Sequence, residues 1–117
     1  MKIVLTTKLP SEGFAALRDH TLIFPDESAF TRTELLQNIV DCDVLVPTYD
    51  YPIDAETIAA AKQLKLIANF GVGFNNIDLE AAKNRGIIVT NTPAPVIDPT
   101  AEQTFTLMLA CAHRTAE

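Results

Sequence analysis

The chain is poor in basic residues and in long apolar runs, and each shortage excludes a class of partner. Its 117 residues include only nine Lys and Arg against 15 Asp and Glu, which gives a formal net charge of −6. The basic residues are scattered, so neither a phosphate-binding surface for nucleic acid nor a basic membrane-surface helix is expected. No apolar run approaches the length of a membrane span, and the short run from Met1 to Thr6 does not resemble a signal peptide. We therefore expect neither nucleic acid nor a membrane as a partner.

Cysteine is also scarce. Cys42 and Cys111 are the two cysteines of the chain, and they lack the spacing of metal ligands. Both lie in apolar surroundings, which favours reduced, packed thiols in a cytoplasmic protein. We predict no metal site. The length and the apolar fraction of 48% are those of a single globular domain with a real core.

Short apolar runs alternate with amphipathic segments five times along the chain. The predicted strands are residues 2–6, 21–24, 43–46, 66–69 and 87–90. Helices are predicted between them, with Ser11, Asp54 and Asp78 as N-caps of three of these helices. Nearly continuous apolar strands are typical of a parallel sheet covered on both faces. With right-handed crossovers, this pattern predicts an α/β, flavodoxin-like, doubly wound five-stranded parallel sheet of order 2-1-3-4-5.

The stretch from Leu64 to Asp78 contains the most informative turn. A short apolar run ends in Gly71-x-Gly73, and a helical segment follows, so backbone N–H groups are expected at the carboxyl edge of the sheet. Such a turn can hold a small anion, although an ordinary tight βα turn has the same pattern. The dinucleotide fingerprint is incomplete, because Asn76 replaces the third glycine and no acidic residue ends the next strand. This loop is therefore not predicted to bind a nucleotide cofactor.

The amino-acid composition changes after the fifth predicted strand. Residues 93–99 contain three prolines and are predicted to form a stiff connector into a helix over residues 100–113. From Phe105 to Ala112 this helix is apolar nearly all round, so it requires cover on more than one side. Exposed apolar stripes drive association. We predict self-association through residues 100–114, most simply as a two-fold homodimer.

Several motifs together resemble the NAD-dependent D-isomer-specific 2-hydroxyacid dehydrogenases. The motifs are Gly71-Val72-Gly73-Phe74-Asn75-Asn76-Ile77-Asp78, Arg85-Gly86-Ile87, Val89-Thr90-Asn91-Thr92-Pro93 and Thr100-Ala101-Glu102. The resemblance covers the whole chain but is specific only from Leu64 onward. Asn75 stands where the family most often has Asp, and Ala94-Pro95 replaces a commoner glycine.

The resemblance implies a division of the chain and a set of site residues. Residues 1–99 would form the substrate-binding domain, and residues 100–117 would begin the helix that links it to a separate NAD- or NADP-binding domain. The backbone of Val72 and Gly73 would bind the substrate carboxylate, Thr48 and Tyr49 would line the pocket, and Thr100 would lie beside the nicotinamide. The catalytic residues of the family would lie beyond Glu117, and neither of the two histidines here, at positions 20 and 113, matches the catalytic histidine.

The function implied by the resemblance is that of an N-terminal fragment of an oxidoreductase. The parent enzyme would transfer a hydride between NAD(P)H and a small 2-oxo acid or D-2-hydroxy acid. No catalytic residue, bound cofactor or activity is expected for the 117-residue chain alone. The alternative is a stand-alone flavodoxin-like binding or interaction module without catalysis.

Overall fold

A single parallel sheet organises the computed structural model, which describes residues 1–115. Its five strands are β1 (Lys2–Leu5), β2 (Thr21–Ile23), β3 (Val44–Val46), β4 (Leu66–Ala68) and β5 (Ile88–Thr90). Their order across the sheet is β2-β1-β3-β4-β5, and every neighbouring pair is parallel. The predicted α/β fold and strand order are confirmed.

Four α-helices and one 3₁₀ helix connect and follow the strands. The α-helices are α1 (Arg32–Asn38), α2 (Ala55–Ala60), α3 (Leu79–Asn84) and α4 (Ala94–His113), and the 3₁₀ helix spans Ser11–Leu17. The carboxylates of Asp54 and Asp78 each accept a hydrogen bond of 2.9 Å from a backbone N–H in the first turn of their helix. Both predicted N-caps are therefore confirmed.

Helices α1, α2 and α3 cover one face of the sheet. The strand register places five apolar side chains in one row across this face: Ile23, Val4, Leu45, Ile67 and Val89. They pack in one buried cluster with Leu35 of α1, Ile58 of α2 and Ala82 of α3. This cluster is the hydrophobic core, and its burial holds the carboxyl ends of the strands at one edge.

The opposite face is covered only in part by residues 1–115. Phe14 and Leu17 of the 3₁₀ helix lie over its centre and help to line a groove of about 350 Å³. Towards β5 the cover ends, and Ile88 is 64% exposed. The expectation of a sheet covered on both faces is therefore met only partly within the described chain.

The segment after β1 differs from the predicted α-helix. It forms a 3₁₀ helix whose N-cap is Pro10, and no side chain caps it, so the predicted capping by Ser11 is wrong. Phe14 and Leu17 are three residues apart, and a 3₁₀ helix of three residues per turn stacks them on the same side. Both side chains can therefore reach the sheet without an α-helical turn.

Helix α4 is longer than predicted. It begins at Ala94, so the predicted connector over residues 93–99 is wrong, and the predicted domain boundary at residue 99 falls inside this helix. Pro95 lies in the first turn, where backbone N–H groups have no intrahelical acceptor, so the proline removes no helical hydrogen bond. Pro99 is accommodated inside the helix. Residues 116 and 117 of the predicted linking segment lie outside the described residues.

The long helix is mostly uncovered by the rest of the described chain. None of its residues is buried, and Phe105 and Met108 are more than 60% exposed. The expectation that the helix needs further cover agrees with this exposure. No helix within residues 1–115 is long and apolar enough to cross a membrane.

The two cysteines occupy different environments. Cys42 is fully buried, and burial raises the pKa of its thiol to about 11, so it stays protonated and unreactive near neutral pH. Cys111 on α4 is exposed, and the prediction that it is packed is wrong for this chain, because nothing described covers the helix. Across residues 1–115, no group of three or more His, Cys, Asp or Glu side chains is placed to hold a metal ion.

Candidate functional site

A largely apolar groove of about 670 Å³ lies where three strands end. Tyr49 from the turn after β3 forms one wall, the loop over residues 70–75 forms the floor, and residues at the end of β5 and the start of α4 close the other side. The lining residues are Tyr49, Phe70, Gly71, Val72, Gly73, Asn75, Thr92, Pro95 and Val96. None of them carries a charge at neutral pH, so an anion in this groove would be bound by hydrogen bonds from uncharged groups.

Three consecutive carbonyl groups of the loop accept hydrogen bonds from the protein. The backbone N–H of Thr92 donates to the carbonyl of Gly71 at 2.9 Å. The side-chain amide of Asn91 donates to the carbonyl of Val72 at 2.7 Å, and that of Asn69 donates to the carbonyl of Gly73 at 2.6 Å. These bonds fix the orientation of three successive peptide planes.

The same peptide planes leave three N–H groups without a partner. In a trans peptide the N–H points opposite to the carbonyl, so the N–H groups of Val72, Gly73 and Phe74 point away from the three donors. Within residues 1–115, none of these N–H groups donates to any acceptor. Val72, Gly73 and Phe74 are also exposed. The loop therefore offers three successive backbone donors to an external anion.

A buried amide pair connects this loop to the turn after β3. Asn69 is only 1% exposed, and its Oδ1 accepts a hydrogen bond of 3.1 Å from Asn76. The same Nδ2 of Asn76 lies 3.1 Å from the carbonyl oxygens of Thr48 and Tyr51. The two loops that border the groove are therefore held in one hydrogen-bonded unit. The Oδ1 of Asn76 is buried and has no partner among the described residues.

The turn after β3 is held by hydroxyl groups. The hydroxyls of Thr48 and Thr7 are 2.9 Å apart, and the backbone N–H of Thr48 donates to the hydroxyl of Thr6 at 3.3 Å. The hydroxyl of Tyr51 donates to the carbonyl of Phe30 at 2.9 Å, and burial raises the pKa of Tyr51. Tyr51 therefore remains a neutral donor, and the turn is anchored to the residues that follow β1 and to the segment before α1.

Close packing between the two loops explains why position 71 is a glycine but does not explain the glycine at position 73. A Cβ at Gly71 would lie 2.6 Å from the Cβ of Tyr49, well inside contact distance. A Cβ at Gly73 would meet nothing within 4 Å. Gly86, at the end of α3, is the one glycine with a left-handed backbone, with φ of 66°. Gly73 therefore has neither a positive φ nor a close neighbour that would require a glycine.

The structure brings together some of the predicted site residues. Tyr49, Val72 and Gly73 line the groove, whereas Thr48 is buried beneath it and contributes its carbonyl and hydroxyl to the turn. Thr100 does not line the groove and lies in the second turn of α4, because that helix starts earlier than predicted.

Sequence reasoning missed the asparagines that organise the loop. Asn69 and Asn91 directly follow β4 and β5, at the carboxyl edge where ligands bind in open α/β sheets. Their position after two neighbouring strands was the available signal. The N–H of Phe74 was missed as well, because its availability depends on the orientation of a peptide plane.

Comparison with known proteins assigns the family. The profile of the family described as "D-isomer specific 2-hydroxyacid dehydrogenase, catalytic domain" matches residues 3–116. The chain belongs to this family. The family expected from the motifs is thereby confirmed.

Similar proteins of this family are much longer than the present chain. The glyoxylate reductase of Thermococcus onnurineus is 40% identical over 118 residues, which cover 99% of this chain and 35% of the relative. The crystal structure of the TT0316 protein from Thermus thermophilus aligns with a TM-score of 0.85 and 37% identity, over 99% of this chain and 38% of that one. The chain therefore spans about a third of the length of these family members.

An NAD⁺-bound member of known structure has the same fold in the aligned part. The 3-phosphoglycerate dehydrogenase of Entamoeba histolytica, solved with NAD⁺, aligns with a TM-score of 0.75 and 27% identity. The alignment covers 94% of this chain and 38% of that one.

Alanine substitutions at Gly71 and Gly73 test whether close packing requires a glycine at each position. Gly71→Ala forces its new Cβ against the Cβ of Tyr49, and such overpacking costs about 1 to 3 kcal/mol. Gly73→Ala meets open space without backbone strain, so we expect a change within about 0.5 kcal/mol. Thermal unfolding of the two variants beside the wild type measures both. Equal stability of the two variants would contradict the packing described here.

Proposed function

We propose that this chain is the substrate-binding part of an NAD(P)-dependent D-2-hydroxyacid dehydrogenase. The whole enzyme would transfer a hydride reversibly between NAD(P)H and the C2 carbon of a small 2-oxo or D-2-hydroxy acid. One observation carries the proposal: within residues 1–115 the successive N–H groups of Val72, Gly73 and Phe74 have no acceptor, and Val72 and Gly73 line a groove that has no charged lining residue. The archaeal relative is a glyoxylate reductase, which is consistent with such a substrate.

The substrate carboxylate would accept hydrogen bonds from the N–H groups of Val72 and Gly73. These donors carry no net charge, but their dipoles are fixed in advance, so little reorganisation is needed when the anion binds. The apolar walls formed by Tyr49, Phe70 and Val96 exclude water from one side of the groove and strengthen these hydrogen bonds. The backbone of this loop would therefore orient the substrate by its carboxylate.

We propose that residues 1–115 do not form a dinucleotide site of their own. Asn76 occupies the position of the third fingerprint glycine, and its side chain is committed to hydrogen bonds with Thr48, Tyr51 and Asn69. We propose that the cofactor binds to a second domain of the whole enzyme, which residues 100–117 begin to connect. Thr100 would then lie beside the nicotinamide, and the general acid would come from that further part of the enzyme.

The cysteines support a proposal for the cell compartment. Neither Cys42 nor Cys111 forms a disulfide in the described structure. Unpaired cysteines suit a reducing compartment, and we propose that the protein acts in the cytoplasm.

The apolar residues of α4 would make this chain self-associate. Phe105, Leu107, Met108 and Leu109 are each at least 56% exposed, and leaving such a side chain in water costs about 1.5 to 3 kcal/mol relative to burial. Packing of residues 100–114 against the same residues of a second copy would cover one stripe on each helix. A two-fold dimer is the simplest arrangement that does this symmetrically.

Pyruvate binding to the ¹⁵N-labelled chain tests the carboxylate site. We expect pyruvate to shift the amide resonances of Val72, Gly73 and Phe74 most strongly, with a dissociation constant on the order of 1 mM because half of the proposed site is missing. Pyruvamide retains the 2-oxo group but has no carboxylate, so it is the matched control and should leave these resonances unchanged. Equal shifts with both compounds, or shifts only elsewhere, would refute the proposed carboxylate site.

The isolated chain is expected to be inactive. With NADH and pyruvate, glyoxylate or hydroxypyruvate, the NADH absorbance should remain constant, because the proposed general acid and the cofactor site belong to another part of the enzyme. Protein-dependent oxidation of NADH would show that this assignment is wrong.

Self-association can be tested by sedimentation at micromolar concentration. We expect a dimer for the wild type and a monomer for Phe105→Lys/Met108→Lys, since these two side chains lie one helical turn apart on α4. Leu79→Lys changes an exposed apolar residue outside α4 and is the control, which should remain dimeric. A monomeric wild type, or a double variant that still dimerises, would rule out the α4 interface.

A further inference from the structure

Two asparagine side chains control the orientation of the proposed carboxylate donors. Asn91 donates to the carbonyl of Val72 at 2.7 Å, and this carbonyl shares its peptide plane with the N–H of Gly73. Asn69 donates to the carbonyl of Gly73 at 2.6 Å, and that carbonyl shares its plane with the N–H of Phe74. Each asparagine therefore sets the direction of one particular N–H group from the opposite end of its peptide plane.

Nothing else in the described structure holds these two planes. Among residues 1–115, the N–H groups of Gly73 and Phe74 have no acceptor, and neither the carbonyl of Val72 nor that of Gly73 receives a backbone donor. The plane before them differs, because the backbone N–H of Thr92 holds the carbonyl of Gly71. Side-chain variants can therefore release the second and third planes without releasing the first.

The side chains of the two asparagines differ in burial and in the number of hydrogen bonds that hold them. Asn69 is buried, and its Oδ1 accepts a hydrogen bond from Asn76, so its amide group can present only its Nδ2 to the loop. That arrangement fixes the side chain from behind and links it to the Thr48 turn through Asn76. Asn91 is exposed at the end of β5, and within residues 1–115 its side-chain amide makes a single hydrogen bond, to the carbonyl of Val72.

We propose that Asn69 and Asn91 are positioning residues that orient the N–H groups of Phe74 and Gly73, respectively, towards a bound carboxylate. The inference rests on the proposed function, because it assumes that this loop binds the carboxylate of a 2-oxo acid. Neither side chain needs to touch the substrate. Each acts by holding a carbonyl, so that the N–H on the other side of the same plane is oriented before the anion arrives.

The test compares Asn91→Ala and Asn69→Ala with the wild type by amide resonances and by pyruvate titration. Asn91→Ala is expected to shift the free-state resonance of Gly73 most, and Asn69→Ala that of Phe74. Each variant should bind pyruvate at least tenfold more weakly. Asn84→Ala is the control, because Asn84 is exposed at the end of α3 and its side chain makes no hydrogen bond within residues 1–115. The control should match the wild type in both measurements.

The measurements are made where thermal unfolding shows each variant to be folded. If buried Asn69 is needed for folding, exposed Asn91 still decides the question through the Gly73 resonance and the pyruvate affinity. If the wild type binds pyruvate and the Asn91 variant binds it with the same affinity, the positioning proposal is wrong but the carboxylate site is not. A wild type that shows no pyruvate-dependent shift at residues 72–74 would instead refute the carboxylate site, and the positioning proposal with it.

Discussion

The candidate site depends on three hydrogen bonds that hold the carbonyl groups of Gly71, Val72 and Gly73. Their donors are the backbone of Thr92 and the side chains of Asn91 and Asn69. Because a peptide group is rigid and trans, fixing a carbonyl also fixes the N–H at its other end. A loop without a charged side chain thereby becomes a set of fixed positive dipoles. The glycines matter less for backbone freedom than for the close approach that Gly71 allows.

These hydrogen bonds exist because the sheet brings distant segments to one edge. β4 and β5 are parallel neighbours, so Asn69 and Asn91, which follow them, both come within hydrogen-bond distance of the glycine loop. β3 pairs with β4 on the other side, which places the Thr48 turn within reach of Asn76. The buried row of side chains along the strand centres holds this arrangement together. A substitution that disrupts the core packing would therefore disturb the groove even if every groove residue were unchanged.

The fold was predictable because its signals are local and agree with one another. Short apolar runs alternate with helical segments, aspartate caps mark the starts of two helices, and a glycine follows α3. Right-handed crossovers then leave few possible strand orders. The start of α4 was not predicted, because the prolines at positions 95 and 99 indicate a connector, whereas Pro95 lies in the first helical turn and Pro99 is accommodated inside the helix. The Ser11 segment was assigned the wrong helix type, since residues three apart satisfy both kinds of turn.

The site was predictable only in outline. The glycine loop indicated an anion site, and the family motifs pointed to Tyr49, Val72 and Gly73, which line the groove. The Asn69–Asn76 pair could not be predicted, because it joins residues through side-chain orientations that no spacing rule specifies. Thr100 remains a prediction, since it does not line the groove and no contact of the described residues tests its proposed place beside the nicotinamide.

A crystal structure of the chain with pyruvate tests the central claim most directly. The account predicts the pyruvate carboxylate in the groove, with an oxygen within about 3.2 Å of the backbone nitrogen of Gly73 and another near that of Val72 or Phe74. The carbonyl oxygens of Val72 and Gly73 should remain bound to Asn91 and Asn69. Pyruvate bound in the groove with its carboxylate turned away from these nitrogens, or a flipped Val72–Gly73 peptide, would contradict the account.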